Sequence, residues 1–500
     1  MILGMGWLGR AIGLLGLVLA LLVAHRAIFP GDVETEAGGH VAESPNPGQS
    51  VPDRGSSTPP IAGGLSGIGA PSRQSARPVY QLAFARGFLP FLSTGYPAME
   101  WAEFHHVMIG DVTGDGKDDL ISYGETEDPV SPRMLYVYPQ SPSGLLESAR
   151  RFVIDGWDPV VGLSLADMNG DGVDDIVVTH AQGISLLLTS DSGGLSLQHV
   201  SSTEPDGLET NVAAVSLDVD QDGAMDLVSH LSVTHAESGN MTLDRRSRFR
   251  VLFGDGRGGV LRSEDTLHFG VETGDYGHYD KDSVTSLAIG DLNGDGLNDL
   301  VTASRKFVFA DQQNPPFISI YENTGLGGFA EPFLISLADI GGEYVGVGDF
   351  NGDGRKDLAV TDSSNITPIR VFHQRADGFR PVPDYARRTG SISVSVNGAD
   401  LDLDGRDDLL IGHSNWGLIS HYLQGNGVIA EAVFTALSGF AGYRLTGSIS
   451  TSGVASGDLN SDGCTDVAVA ASFNGLQVFL GSDCAPRRVT GGRYPGRRRH

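Results

Sequence analysis

Short apolar runs alternate with polar turns along most of this chain, and they recur in units of roughly 50 residues. Each unit opens on an apolar stretch such as Ser286–Gly290 or Tyr344–Gly348. A second run follows after a polar segment, as at Asp299–Thr302. A third comes after a variable loop, at Met134–Tyr138, Ile184–Leu188, Phe249–Phe253, Ile318–Tyr321, Ile369–Phe372 and Leu476–Phe479. A fourth, less regular run ends the unit. Runs this short, bounded by Gly, Asn and Asp, predict strands. Four antiparallel strands per unit predict one blade of a β-propeller.

The segment between the first and second runs is acidic and is repeated seven times. Its first position is Asp111, Asp167, Asp218, Asp291, Asp349, Asp400 and Asp458. Successive copies are separated by 56, 51, 73, 58, 51 and 58 residues. Position 3 is Thr113, Asn169, Asp220, Asn293, Asn351, Asp402 or Asn460. Position 5 is Asp115, Asp171, Asp222, Asp295, Asp353, Asp404 or Asp462. Position 9 is Asp119, Asp175, Asp226, Asp299, Asp357, Asp408 or Asp466. Position 6 is always Gly, where a Cβ would obstruct the sharp bend.

Oxygen side chains at positions 1, 3, 5 and 9 form the donor set of a calcium loop. Position 7 would add a backbone carbonyl, from Lys117, Val173, Ala224, Leu297, Arg355, Arg406 or Cys464. Carboxylates crowded this closely repel one another, and a hard divalent cation reverses the sign. Isolated Asp-Gly turns are the bland alternative, but seven copies with the same positions filled argue against it. An EF-hand would continue as a helix with Glu at position 12. Here position 10 is Leu, Ile or Val and an apolar strand follows, so the loops join strands. The expectation is up to seven Ca²⁺ ions, with the first loop weakest because Thr113 is a neutral hydroxyl.

Composition fits this picture. The 500 residues carry 62 Asp and Glu against 34 Lys and Arg, a formal net charge of −28. Seven divalent ions would bring it to about −14. Such acidity gives no support to nucleic-acid binding. The apolar run Ala11–Ala24 is shorter than a comfortable membrane span and suits a signal-peptide core, or an uncleaved anchor if Met1–Gly9 adds to it. Residues 1–30 are therefore expected to be a signal peptide or membrane anchor, and the protein to be exported (periplasmic, cell-surface or secreted). Residues 31–78, rich in Gly, Ser and Pro, read as a linker. Residues 485–500 read as a basic tail. The two cysteines, Cys464 and Cys484, favour a disulfide in an exported chain, with two unpaired thiols as the alternative.

The fold expectation is all-β: a seven-bladed β-propeller over residues 79–484, acting as a monomer. The extra run Tyr80–Leu92 would serve as the outermost strand of the seventh blade and close the ring. An open β-solenoid competes, but its repeats would be shorter and more uniform.

The Asp-x-Asn-Gly-Asp-Gly-x-x-Asp-Leu loops resemble the FG-GAP or VCBS repeats of integrin α-subunit propellers and of many bacterial exported proteins. The Phe-Gly and Gly-Ala-Pro signatures of that family are mostly degraded here. The resemblance implies calcium loops between the first and second strands of each blade, on one face, and ligands on the opposite face. Trp101, Trp157 and Trp416 fall in loops expected on that opposite face. Exposed Trp rings stack on sugars or proteins, although each ring also suits a hydrophobic blade cap. The longest repeat spacing adds residues there too, including Arg245, Tyr276, His278 and Tyr279.

His180, His230 and His413 hold similar places after three loops, and are read either as a converging cluster or as strand-end residues. The leading functional expectation is a non-catalytic module for a glycan or an extracellular protein. The alternative is a polysaccharide lyase or glycoside hydrolase using a carboxylate pair drawn from Glu100, Glu103, Asp155, Asp158 and Asp280.

Overall fold

The structure is a computed structural model, and it describes residues 81–84, 102–126, 133–154, 159–190, 194–200, 203, 209–236, 243–269, 283–305, 317–337, 342–361, 368–388, 393–413, 418–422, 424–425, 428–429, 433–436, 453–470 and 476–484. The signal or anchor segment, the linker and the basic tail expected from sequence lie outside these residues.

Every described element is a strand, and the protein is an all-β propeller. Among the described residues, seven four-stranded antiparallel sheets follow one another along the chain. The first holds Ala102–Gly110, Asp119–Thr126, Arg133–Tyr138 and Arg150–Ile154 in spatial order. Six sheets are each made from one continuous stretch of chain. In the sixth, a two-stranded hairpin of Gln424–Gly425 and Val428–Ile429 interrupts the path between third and fourth strands.

The remaining sheet joins the two ends of the ring. Val454–Gly457, Asp466–Ala470 and Leu476–Ser482 supply three strands, and Gln81–Phe84 adds the outermost one. Gln81 pairs with Ser482 and Phe84 with Phe479, antiparallel. Only the start of the expected Tyr80–Leu92 run is described as strand. The first strands also touch in cyclic order: Ala102–Gly110 contacts both Val160–Ala166 and Val454–Gly457. Closing the ring leaves the inner edges short and covered by their neighbours.

The core lies between neighbouring sheets. One cluster packs Tyr344, Phe350, Val396 and Leu410 against Val454 and Phe479, spanning three sheets. Position 10 of every acidic loop is buried: Leu120, Ile176, Leu227, Leu300, Leu358, Leu409 and Val467. So is position 2: Val112, Met168, Val219, Leu292, Phe350, Leu401 and Leu459. Each polar loop is thus pinned by an apolar anchor at either end, which fixes where its oxygens stand.

Candidate metal loops and the blade faces

The acidic loops sit where the sequence places them. First strands end one residue before position 1, at Gly110, Ala166, Leu217, Gly290, Gly348, Ala399 and Gly457. Second strands begin on position 9 itself. The backbone turns left-handed twice in each loop. At position 6, φ runs from 81° at Gly116 to 91° at Gly405. Position 4 is also left-handed, even where it is Gln221, Leu403 or Ser461, with φ of 59°, 58° and 57°. Such a conformation costs a side-chain-bearing residue of order 1 kcal/mol or more, and the surrounding loop must offset it.

Three sets of hydrogen bonds do so. The position 1 carboxylate accepts backbone N–H groups from across the turn. In the second loop Gly170 donates to Asp167 Oδ1 at 2.7 Å and Gly172 to Oδ2 at 2.8 Å. Asp291, Asp349 and Asp111 are held the same way. The position 5 carboxylate accepts the N–H of position 7, as from Val173 to Asp171 at 2.9 Å and from Cys464 to Asp462 at 2.8 Å.

The position 9 carboxylate clamps three segments together. Through Oδ2, Asp299 accepts the N–H of Leu292 at 2.9 Å; through Oδ1 it accepts that of Asn323, just beyond the third strand, at 2.8 Å. Asp119 does this with Val112 and Gln140, Asp226 with Val219 and Gly254, and Asp466 with Leu459 and Gly481. The sequence reading treats position 9 only as a metal ligand. Its structural role was missed because its second partner lies a whole strand away.

Burial sets the electrostatics. Desolvation pushes Asp119, Asp175 and Asp299 up to about 6, and Asp357 and Asp466 up to about 7, against partial relief from the N–H groups. Asp400 and Asp402 also rise, by desolvation first and by the neighbouring carboxylates second.

Among the described residues, two of the donor sets fit a divalent cation. Ligand oxygens of Asp218, Asp220 and Asp222 all lie within 4.8 Å of one another, and so do those of Asp400, Asp402 and Asp408. Asp218 Oδ1 and Asp220 Oδ1 are buried without a hydrogen-bond partner. A buried carboxylate oxygen left unpaired is costly, and a hard cation satisfies it. Side-chain cations also approach these carboxylates: Lys117 Nζ lies 3.2 Å from Asp115, Arg355 Nη2 lies 2.6 Å from Asp353, and Arg262 Nη2 lies 3.3 Å from Asp220.

The turn between third and fourth strands shares this face. Gln140 Nε2 donates to the carbonyl of Asp458 at 2.8 Å, and Asn323 Nδ2 to that of Asp218 at 3.2 Å. Gly258 N–H donates to Met168 O at 3.0 Å. Each of these turns reaches the acidic loop of the preceding sheet. Cys464, at position 7 of the last loop, is disulfide-bonded to Cys484.

The opposite face is less described. Trp101, Trp157, Trp416, Tyr276, His278 and Tyr279 lie outside the described residues, as do Glu100, Asp155, Asp158 and Asp280. Arg245 and Glu103 are placed in strands by their backbones alone. The three histidines do not converge. They stand on the second strands of three different sheets. His180 Nε2 meets Ser185 Oγ at 2.8 Å, and His413 Nε2 meets Ser420 Oγ at 2.7 Å. His230 is buried against Phe249. Desolvation drives His180 down to about 4 and His230 to about 3, so both are neutral core residues. An ion network, buried Glu209 and Arg250 with the more exposed Arg248 and Asp265, braces the third sheet.

A ring of strands joined through regularly spaced acidic turns defines a repeat β-propeller. An FG-GAP-like repeat model matches residues 111–178, 291–360 and 349–411, and an FG-GAP repeat model matches 450–483. These repeat matches and the integrin α relatives below support an FG-GAP, integrin α-like β-propeller family for this chain. Integrin alpha-PS5 of Drosophila melanogaster is 30% identical over 200 residues, 37% of this chain and 19% of its own. Integrin alpha-5 of Xenopus laevis is 30% identical over 179 residues, 31% of this chain and 17% of its own. The match thus spans less than a fifth of either relative.

Among solved structures, an Agrocybe aegerita lectin described for its recognition of non-reducing terminal N-acetylglucosamine aligns at TM-score 0.44 and 16% identity, over 77% of this chain and 87% of that one. BBS1N in complex with ARL6DN aligns at TM-score 0.43 and 12% identity, over 78% and 94%.

Proposed function

We propose that this protein is a non-catalytic binding module: a seven-bladed, calcium-stabilised propeller that presents a glycan- or protein-binding surface outside the cytoplasm. The observation that carries the calcium reading is the third loop, where Asp218, Asp220 and Asp222 converge and two of their buried oxygens have no partner. Ca²⁺ there would supply charge neutralisation and loop closure. Positions 1, 3, 5 and 9 of each loop would hold it, with the position 7 carbonyl.

The likeness to integrin α subunits fits a binding module and is compatible with an exported protein. The ligand surface is assigned to the face away from the acidic loops, through Trp101, Trp157 and Trp416, with Tyr276, His278 and Tyr279 beside them.

A glycan and extracellular-protein array, probed with the soluble chain in calcium and in chelator, tests both parts. Expected is a specific hit that is lost in chelator and in the triple variant Trp101→Ala/Trp157→Ala/Trp416→Ala. A hit that survives the triple variant removes the proposed surface.

A further inference from the structure

Position 8 of the acidic loops has no part in the donor set, yet in three loops it bonds to position 1 of the preceding loop. Asp407, position 8 of the sixth loop, accepts the backbone N–H of Asp349 at 2.8 Å through Oδ2. Asp349 is position 1 of the fifth loop. The same Oδ2 takes Lys356 Nζ at 2.9 Å, and the Asp407 N–H donates back to Asp349 O at 3.2 Å. Across the ring closure, Asp118 of the first loop accepts the N–H of Asp458, position 1 of the seventh, at 2.7 Å. Thr465 of the seventh loop donates to the carbonyl of Asp400, position 1 of the sixth, at 3.0 Å.

Room for this contact is made by glycine at the end of the preceding first strand. A Cβ at Gly457 would stand 2.7 Å from Asp118 Oδ2, and one at Gly348 would stand 3.0 Å from Asp407 Cβ. A Cβ at Gly110 would approach the Asp174 carboxylate, position 8 of the second loop, at 3.2 Å. The seat recurs in three inter-sheet joints, so it belongs to the repeat and not to one accidental contact.

We infer that Asp118 and Asp407 are positioning residues: each fixes the first ligand of the neighbouring loop, so that adjacent loops order together. The chain of contacts is short. Asp408 clamps the sixth loop by accepting Leu401 N–H at 3.0 Å. Asp407 is covalently next to it and carries that order to Asp349. Asp349 in turn gathers the N–H groups of Gly352, Asp353 and Gly354 with its own carboxylate. Where the calcium reading holds, occupancy of one loop favours closure of the next, and loading is cooperative. That last step rests on the proposed function; the coupling of loop order does not.

Hydrogen exchange of the peptide covering residues 349–357, followed by mass spectrometry, tests this. Asp404→Ala disables the sixth loop without touching the fifth. Expected is several-fold faster exchange in the fifth loop on Asp404→Ala, and no added effect of Asp404→Ala in an Asp407→Ala background. Asp407→Asn should behave as wild type, because its amide oxygen still accepts the Asp349 N–H. Asp118→Ala and Asp118→Asn, read in the peptide covering 458–466, give the same comparison at a joint where a misfolded sixth sheet cannot interfere.

The inference is overturned if fifth-loop exchange ignores Asp404→Ala, or if Asp404→Ala acts equally with and without Asp407. Each variant is run in calcium and in chelator. Coupling that persists while the two arms superimpose supports the inference and removes the calcium reading alone.

Discussion

Asp466 Oδ1 accepts the N–H of Gly481 at 2.8 Å, and Cys464, two residues before Asp466, is bonded to Cys484, three residues after Gly481. The last acidic loop is therefore fastened twice to the end of the strand Leu476–Ser482. That strand is the one to which Gln81–Phe84 is added. Ring closure and the seventh loop share one fastening.

Breaking the disulfide should loosen this joint first. The bridge spans a sequence separation of 20 residues, for which chain entropy gives about 3 kcal/mol. Cys464→Ser/Cys484→Ser should lower the thermal midpoint, and exchange should rise first in 81–84 and 476–482. Reductant should lower wild type to the same value and leave the variant unchanged.

The position 9 clamp carries much of the fold. Asp299→Ala leaves the N–H groups of Leu292 and Asn323 without their acceptor, and each unsatisfied buried donor costs about 1–3 kcal/mol. Asp299→Asn keeps one acceptor oxygen and should cost less. Denaturant titration of both variants in chelator isolates the clamp from any metal effect.

The apolar anchor at position 2 should matter as much as the acids. Leu401 is fully buried, so Leu401→Ala should cost about 2–5 kcal/mol. Chemical denaturation in calcium and in chelator should show this loss in both, because packing does not depend on the ion.

The pH dependence has a defined sign. Asp357 and Asp466 are pushed up to about 7, and Asp119, Asp175 and Asp299 to about 6, all from the ordinary 3.8. Between these values the folded, ion-free chain holds protons that the unfolded chain has released. Its stability should fall as pH rises from about 4 to about 7. Calcium favours the carboxylate form, so the stabilisation it adds should grow over the same window. Thermal scans from pH 4 to 8, in chelator and in calcium, read the two slopes.

Much of this was legible in the sequence because the loops are local. Nine residues with fixed spacing announce a turn, and the apolar residue at position 10 marks the strand beyond it. The closing strand was legible too, since Tyr80–Leu92 lacked a sheet of its own. The clamp from Asp299 to Asn323 was not, because it joins residues on opposite ends of a hairpin whose register sequence does not fix. Nor was the Asp407 contact with Asp349, which crosses from one repeat to the next. Of the two readings of the histidines, the strand-end one holds for His180 and His413, which end their second strands and turn to serines of their own sheets.

The central claim is that the acidic loops close on divalent ions and hold the ring. Metal analysis paired with thermal denaturation tests it most directly. The expected result is several calcium ions retained per chain after dialysis, and a midpoint that drops clearly in excess chelator and recovers in millimolar Ca²⁺. An unchanged midpoint with no ion retained would contradict it.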